Sequence, residues 1–382
     1  MSVVQTVVAG QEWEFNPEPR QHNSANWQVI AFAQAIDEQT GLPPRQRALF
    51  TQHPARFGST ASAGGLVGLT GQPQMLFSDP WPVPSPDIEF SFAVPGFLPV
   101  TLAGGLPAQP GFPGTFAPLD FGTIGLHRTP TSLEGVLVDA IGNTVAGANV
   151  AVTRGWRRID DLSGPGQPVS GVTLSRPLAV DRPAGAGVRV LPIAPAAPTK
   201  MLVRAISPGA RQITLSDRAG LNVGDPLILG ADSERREYPT IQSIDTSYSA
   251  DQPAKIALEY PIAGSYLANS DVTPASYGAA GPVNLIDFAA RTSDTSLLLD
   301  GLNGFGVLPG QLQISSPGIP DEHHDWTPWT TLSGAEGEWR LPAVHRLAHI
   351  ELSASGGGQP TPTLQTVTLN GLPSASVTLV FE

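Results

Sequence analysis

Apolar and polar residues alternate along most of this chain with a period of two. That spacing puts one face of a strand in a core and the other in water. The pattern is clearest in LEGVLVDAIGNTVAGANVAVTRG, Leu133 to Gly155. An alternating run leads into Asp139, a Gly-Asn pair turns the chain, and a second alternating run follows. Its completion is predicted far downstream. TLSGAEGEWRLPAVHRLAHIELSASG (331–356) offers a turn at Ala335-Glu336-Gly337, inward-facing Trp339 and Leu341, and a strand through Ile350 and Leu352. QTVTLNGLPSASVTLVFE (365–382) reads as a hairpin about Asn370-Gly371.

Earlier in the chain, WQVIAFAQAIDEQTG (27–41), DIEFSFAVPGFLPVTLAG (87–104) and DFGTIGLHRTP (120–130) predict the strands of another sandwich. PPRQRALFTQH (43–53) is the one segment there that reads as a helix. Residues 1–25 read as an extended arm with Trp13 and Phe15 as its anchors. A different unit lies between the halves of the later sandwich. ARQITLSDRAGLNVGDPLILG (210–230), YPTIQSIDT (238–246) and KIALEYPIAGSYLANSDVTPAS (255–276) are short strands separated by Gly-Asp and Asn-Ser turns. The Pro/Ala-rich VLPIAPAAPTK before them and YGAAGP after them mark connections. The expected organisation is therefore all-β: an arm (1–25), a first β-sandwich (26–130), a discontinuous second β-sandwich (131–198 and 277–382) and an inserted small β-barrel (199–276).

Composition narrows the function. Charged residues are 14% of the chain, while Gly (41) and Pro (39) are spread throughout it, which favours turns over long helices. A net charge of −12 with no basic stripe argues against a nucleic-acid partner. With no cysteine there is no disulfide, thiolate metal site or cysteine nucleophile. The opening MSVVQTVVAGQEWEF has neither a basic region nor an apolar core, so no secretory leader is expected in it. No run of about 18 apolar residues occurs, so no helical membrane span is expected.

Several residues in the second sandwich match a known pattern. Asp139, Gly142, Gly147, Ala148 and Val150 fit its opening strand and turn, and Glu336, Gly337, Trp339 and Leu341 fit its later hairpin. The pattern resembles the carboxypeptidase regulatory-like domain, a transthyretin-like or Ig-like sandwich. AQAIDEQTGLPP, FAVPGFLPV and DFGTIGLHR form a fainter copy in the first sandwich. The long interruption between the two parts of the second sandwich departs from the family. The resemblance implies scaffolding and interaction rather than catalysis. Such domains occur on receptors, adhesins and secreted enzymes, and among tail proteins of phages and contractile injection systems.

Candidate chemistry is sparse. DEHHDW (321–326) carries His323 and His324 among carboxylates, and HRLAH adds His345 and His349. Adjacent histidines on a strand face opposite ways, and no HExxH occurs, so a polar loop is the favoured reading over a metal site. No GxSxG elbow or phosphate-binding glycine loop is present. No catalytic residue, cofactor or metal is therefore assigned. Trp156, Trp326 and Trp329 offer aromatic faces for a ligand or for packing. Arg157 and Arg158, beside Asp160 and Asp161, form either an interface patch or a self-neutralised loop. The expected function is that of a non-enzymatic structural protein of a phage tail, baseplate or related contractile particle. It would be made in the cytoplasm and end in a virion or extracellular particle, with other particle proteins as partners in a symmetric multi-copy assembly. The alternative is a carbohydrate-binding or adhesin-type module that takes a surface glycan.

Overall fold

The computed structural model describes residues 4–8, 11–15, 28–55, 57–71, 87–106, 118–230, 236–306, 310–369 and 373–381. Strands dominate it, and the 3-10 turn Ile159–Ser163 is the one helical element among the described residues. The first strands are β1 (Val4–Val8), β2 (Gln11–Phe15), β3 (Gln28–Asp37), β4 (Leu49–Gln52), β5 (Gly58–Ala61), β6 (Leu66–Gly71), β7 (Asp87–Ala93), β8 (Val100–Gly105) and β9 (Leu119–Leu126). β1 and β2 form an antiparallel hairpin. The remaining seven make two sheets, β5-β6-β3-β9 and β4-β7-β8. Alternation does the work expected of it in DIEFSFA, where Ile88, Phe90 and Phe92 are buried and Asp87 and Glu89 are exposed. Each buried Phe contributes about 2 kcal/mol of apolar transfer. The segment 43–53, expected to be helical, instead ends in β4. Ala48 and Phe50 face the core while Leu49 points outward, a period of two that suits pairing with β7.

The chain continues through β10 (Thr131–Val138), β11 (Ala148–Trp156), β12 (Gln167–Pro168), β13 (Ser170–Leu174), β14 (Gly187–Pro195), β15 (Lys200–Met201), β16 (Gln212–Leu215), β17 (Leu227–Leu229), β18 (Ile241–Ile244), β19 (Ala254–Leu258) and β20 (Asp271–Tyr277). It ends with β21 (Asn284–Leu285), β22 (Ser296–Leu299), β23 (Gly310–Ser316), β24 (Ile319–His324), β25 (Trp326–Pro328), β26 (Thr330–Leu332), β27 (Glu338–Val344), β28 (His349–Gly356), β29 (Thr363–Thr368) and β30 (Ser374–Val380). The Asn370-Gly371 turn expected before β30 lies outside the described residues.

Two of the assemblies share one wiring. In the first, β3 lies between antiparallel β6 and parallel β9, over the sheet β4-β7-β8. In the second, β10 lies between antiparallel β27 and parallel β30, over β11-β28-β29. The match reaches individual hydrogen bonds. The amide of Ala35 donates to Gly65 O at 2.8 Å, as Leu137 does to Gly337 O at 2.8 Å. Asp37 Oδ1 accepts from the amide two residues on at 2.9 Å, and Asp139 Oδ1 does so at 3.0 Å. Gly65 and Gly337 both take positive φ, where a side chain would collide with the carbonyl oxygens of Ala35 and Leu137 respectively. Asp139 therefore closes a turn, as an Asx residue does, and so does its counterpart Asp37.

The span expected to be one discontinuous sandwich divides between two hydrophobic cores. Leu133, Leu137, Val150, Trp339, Leu341, Ile350 and Leu379 belong to one core, which joins β10–β11 to β26–β30. Val172, Leu174, Val188, Val190, Leu297, Leu312 and Ile314 belong to another, a middle module built from β22-β13-β25 and β14-β23-β24. A third core, with Leu202, Leu215, Leu227, Ile256 and Val272, fills the unit of β15–β20. β14 runs from one module into the next: it pairs with β23 over 187–192 and with β20 over 193–195.

Candidate functional site

Sequence-level candidates fall in four places. Trp13 and Phe15 lie on β2, opposite Thr6 and Val4, and their side-chain surroundings lie outside the described residues. Trp156 ends β11. Its indole donates to Gly164 O at 2.9 Å and lies so close to Gly166 that a Cβ there would reach the ring. Arg157 places its guanidinium 3.9 Å from the Phe288 ring centre, and Arg158 pairs with Asp160 at 3.0 Å. Trp156 and Arg157 line a cleft of about 620 Å³ together with Asp161, Asp287 and Phe288.

Trp326 borders a second cleft of about 600 Å³, shared with Arg176, Tyr238, Tyr260 and Asp325. Its indole donates to Gly310 O and meets the Phe305 ring edge-on at 4.8 Å. Arg176 lies 3.2 Å above the Tyr260 ring, with Nε and Nη2 buried and free of hydrogen bonds. Burial pushes the Asp325 carboxyl above its usual range, against the bonds it receives from Gln311 Nε2 and the Tyr238 amide. Trp329 must be withdrawn as a contact residue. It is 3% exposed, donates to Thr173 Oγ1 at 2.9 Å and lies where a side chain at Gly171 would be, so its faces are used up in the core.

The four histidines singled out in sequence do not converge. DEHHDW belongs to strands rather than to a loop, and β24 points its two histidines opposite ways. His324 turns inward, 3.0 Å from Glu322, while His323 stacks on Tyr277 with ring centres 5.5 Å apart. Glu322 also takes Arg182 at 2.9 Å and the amides of Ala179 and Val180. Burial opposes its charge, but His324, the Ala179 amide and Arg182 outweigh that and hold it at about 2. His349 is satisfied by Thr368 Oγ1 and Ile159 O.

His345 instead joins a cluster that sequence reasoning missed. His127, just past β9, places Nδ1 2.9 Å from Asp294 Oδ1 and Nε2 3.2 Å from Glu38 Oε1. His345 Nδ1 lies 4.0 Å from the same Asp294 oxygen, and the two imidazoles meet edge to face at 5.7 Å. Asp294 Oδ2 is occupied by the Arg291 amide. Arg346 pairs with Glu38 at 3.2 Å and donates to Ala289 O, and Arg291 donates to Gly125 O. Arg128 pairs with Asp37 at 2.7 Å, and Gln39 Nε2 donates to Leu347 O. The first sandwich, the middle module and the second sandwich thus meet at one buried polar node. Burial disfavours charge on His127, yet its bonds to Asp294 and Glu38 raise its pKa. Burial likewise opposes the charge of Glu38, but His127 and Arg346 hold it at about 2. His345 goes the other way: burial pulls it down to about 4 and leaves it neutral. No spacing signal could have shown this node, because its members come from four distant stretches of chain.

No protein-family model matches the chain, and no curated protein matches it. Among solved structures, BcpA, the major pilin subunit of Bacillus cereus, and a variant of it align with 93% and 92% of this chain and 99% of their own. Identity is 7% and 8% and the TM-score is 0.18, too low to indicate a common fold. Among the described residues no helix is long and apolar enough to cross a membrane.

Proposed function

We propose that this chain is a non-enzymatic structural component of a phage tail, baseplate or related contractile particle. In this reading it is present in several symmetric copies and contacts neighbouring subunits through sandwich edges. The observation that carries the proposal is the buried node in which His127 of the first sandwich meets Asp294 of the middle module and Glu38 meets Arg346 of the second sandwich. Charged side chains that could serve a reaction are spent on fixing one module against another, as a scaffold requires. The shared wiring of the two sandwiches supports assigning both to the transthyretin-like, carboxypeptidase regulatory-like class, with the middle module and barrel nested in the second. Among the described residues β29 and β30 are outer strands of their sheets, edges that a neighbour could extend. Particles purified from the producing cell and sedimented on a gradient test the proposal. The chain should co-sediment with tube and sheath subunits and cross-link to them. Recovery only as a free monomer, absent from particles, would overturn it.

One observation favours a second reading, a glycan-binding module. The cleft beside Trp326 is lined by Tyr238 as well as by Arg176 and Asp325, a mix of aromatic and charged groups that sugar recognition uses. Glycan-array binding by the wild-type chain that is lost in Trp326→Ala would favour it.

A further inference from the structure

We propose that His127, Asp294 and His345 form a binding site for one divalent transition-metal ion of the zinc class, which pins the first sandwich, the middle module and the second sandwich to one another. Their candidate ligand atoms all lie within 4.8 Å of one another, and all three residues are buried. A tetrahedral zinc ion with bonds of about 2.0–2.2 Å spaces its ligand atoms roughly 3.3 Å apart. The 2.9 Å between His127 and Asp294 and the 4.0 Å between His345 and Asp294 bracket that spacing. Two imidazoles and one carboxylate are a donor set that suits zinc and its neighbours and is a poor fit for magnesium or calcium.

A second, independent observation points to a ligand. The His345 side chain is 1% exposed, and neither of its ring nitrogens makes a hydrogen bond. The Arg128 backbone lies near enough to favour a proton on the ring, but not in hydrogen-bonding geometry. Leaving such a polar group unsatisfied costs about 1–3 kcal/mol, which a metal bond at Nδ1 would remove. The surroundings are also arranged as a metal site arranges them. Glu38 accepts at His127 Nε2, so the imidazole can keep a proton there and present Nδ1 inward, in the carboxylate–histidine–metal order. The Arg291 amide holds Asp294 Oδ2, leaving Oδ1 as the inward donor. Binding exchanges the His127 Nδ1 proton for the ion and releases that proton to solvent.

The test uses the full chain, made without a polyhistidine tag and stripped with chelator. Co2+ titration should give the visible absorption of a four-coordinate ion, saturating at one per chain and displaced by Zn2+. His345→Gln and Asp294→Asn should each weaken binding at least 10-fold. Glu38→Gln should weaken it about 10- to 100-fold by releasing His127, and His323→Gln should leave it unchanged. Histidine-selective 15N NMR of the wild-type chain gives the same answer without a substitution: on Zn2+ addition His127 and His345 shift and His349 does not. Substoichiometric binding, or NMR shifts confined to other histidines, overturns the proposal and leaves the node as a hydrogen-bonded junction.

Discussion

Arg182 and Glu322 meet at 2.9 Å with almost no access to solvent, and the guanidinium's Nε and Nη1 have no partner. An ion pair held this way is sensitive to loss of either member, because the survivor is left charged in a poorly solvating interior. Arg182→Met is expected to cost about 3–5 kcal/mol in urea unfolding. Arg182→Met combined with Glu322→Gln should cost clearly less than the two single substitutions summed, since the amide keeps an acceptor for the Ala179 amide without the stranded charge. Additive losses in that cycle would mean the pair is not coupled.

The same carboxylate sets an acid limit. Folded Glu322 sits at about 2 against an ordinary value of 4.5, so the native state favours its ionised form. Its contribution is complete above about pH 4.5 and is lost as pH falls from there toward 2, at most about 3 kcal/mol. His324, kept neutral by burial, pushes the same way as it is forced to take a proton below its usual range. Unfolding midpoints of wild type and Glu322→Gln should differ most above about pH 4.5 and converge only as the pH approaches 2. A gap that stays constant across that range contradicts the assignment.

Trp326 and Trp329 should separate cleanly. Trp329→Ala empties a core site and is expected to cost about 3–5 kcal/mol. Gly171→Ala forces a methyl into the Trp329 ring and should cost at least about 1–3 kcal/mol. Trp326→Ala, at a half-buried cleft edge, should lose less than Trp329→Ala. Thermal melts of the three variants give the ranking.

The twin wiring of the sandwiches predicts twin sensitivity. Gly65→Ala and Gly337→Ala both meet a strand carbonyl at positive φ and should each cost well over about 1 kcal/mol. Gly96→Ala and Gly142→Ala, at positive φ but in open space, should cost about 1 kcal/mol. If only one of the first pair destabilises, the two turns are not equivalent.

Local pattern made the strands legible. The alternation about Leu133 and Leu137 located β10, and Asp139 with Gly142 located its turn. The same logic misread 43–53, where charged and apolar residues mimic a helical spacing but pairing with β7 decides the outcome. It also had no means of dividing Val172 and Val188 from Leu133. All three sit in buried strands, and only long-range packing assigns them to different cores. The node at His127, Asp294 and His345 was out of reach for the same reason: the spacing of HRLAH set His345 beside His349 and gave no link to His127 or Asp294.

The nesting of one unit inside another also orders events in time. β10 and β11 leave the ribosome well before β27, β28 and β30, the strands that pair with them. The unit of β15–β20 has all its strands by Tyr277, and the middle module has its own by Pro328, before β27 exists. The inner units therefore complete first and carry the waiting β10 and β11 to their partners, so translation itself shortens a closure that would be slow in a refolding full-length chain.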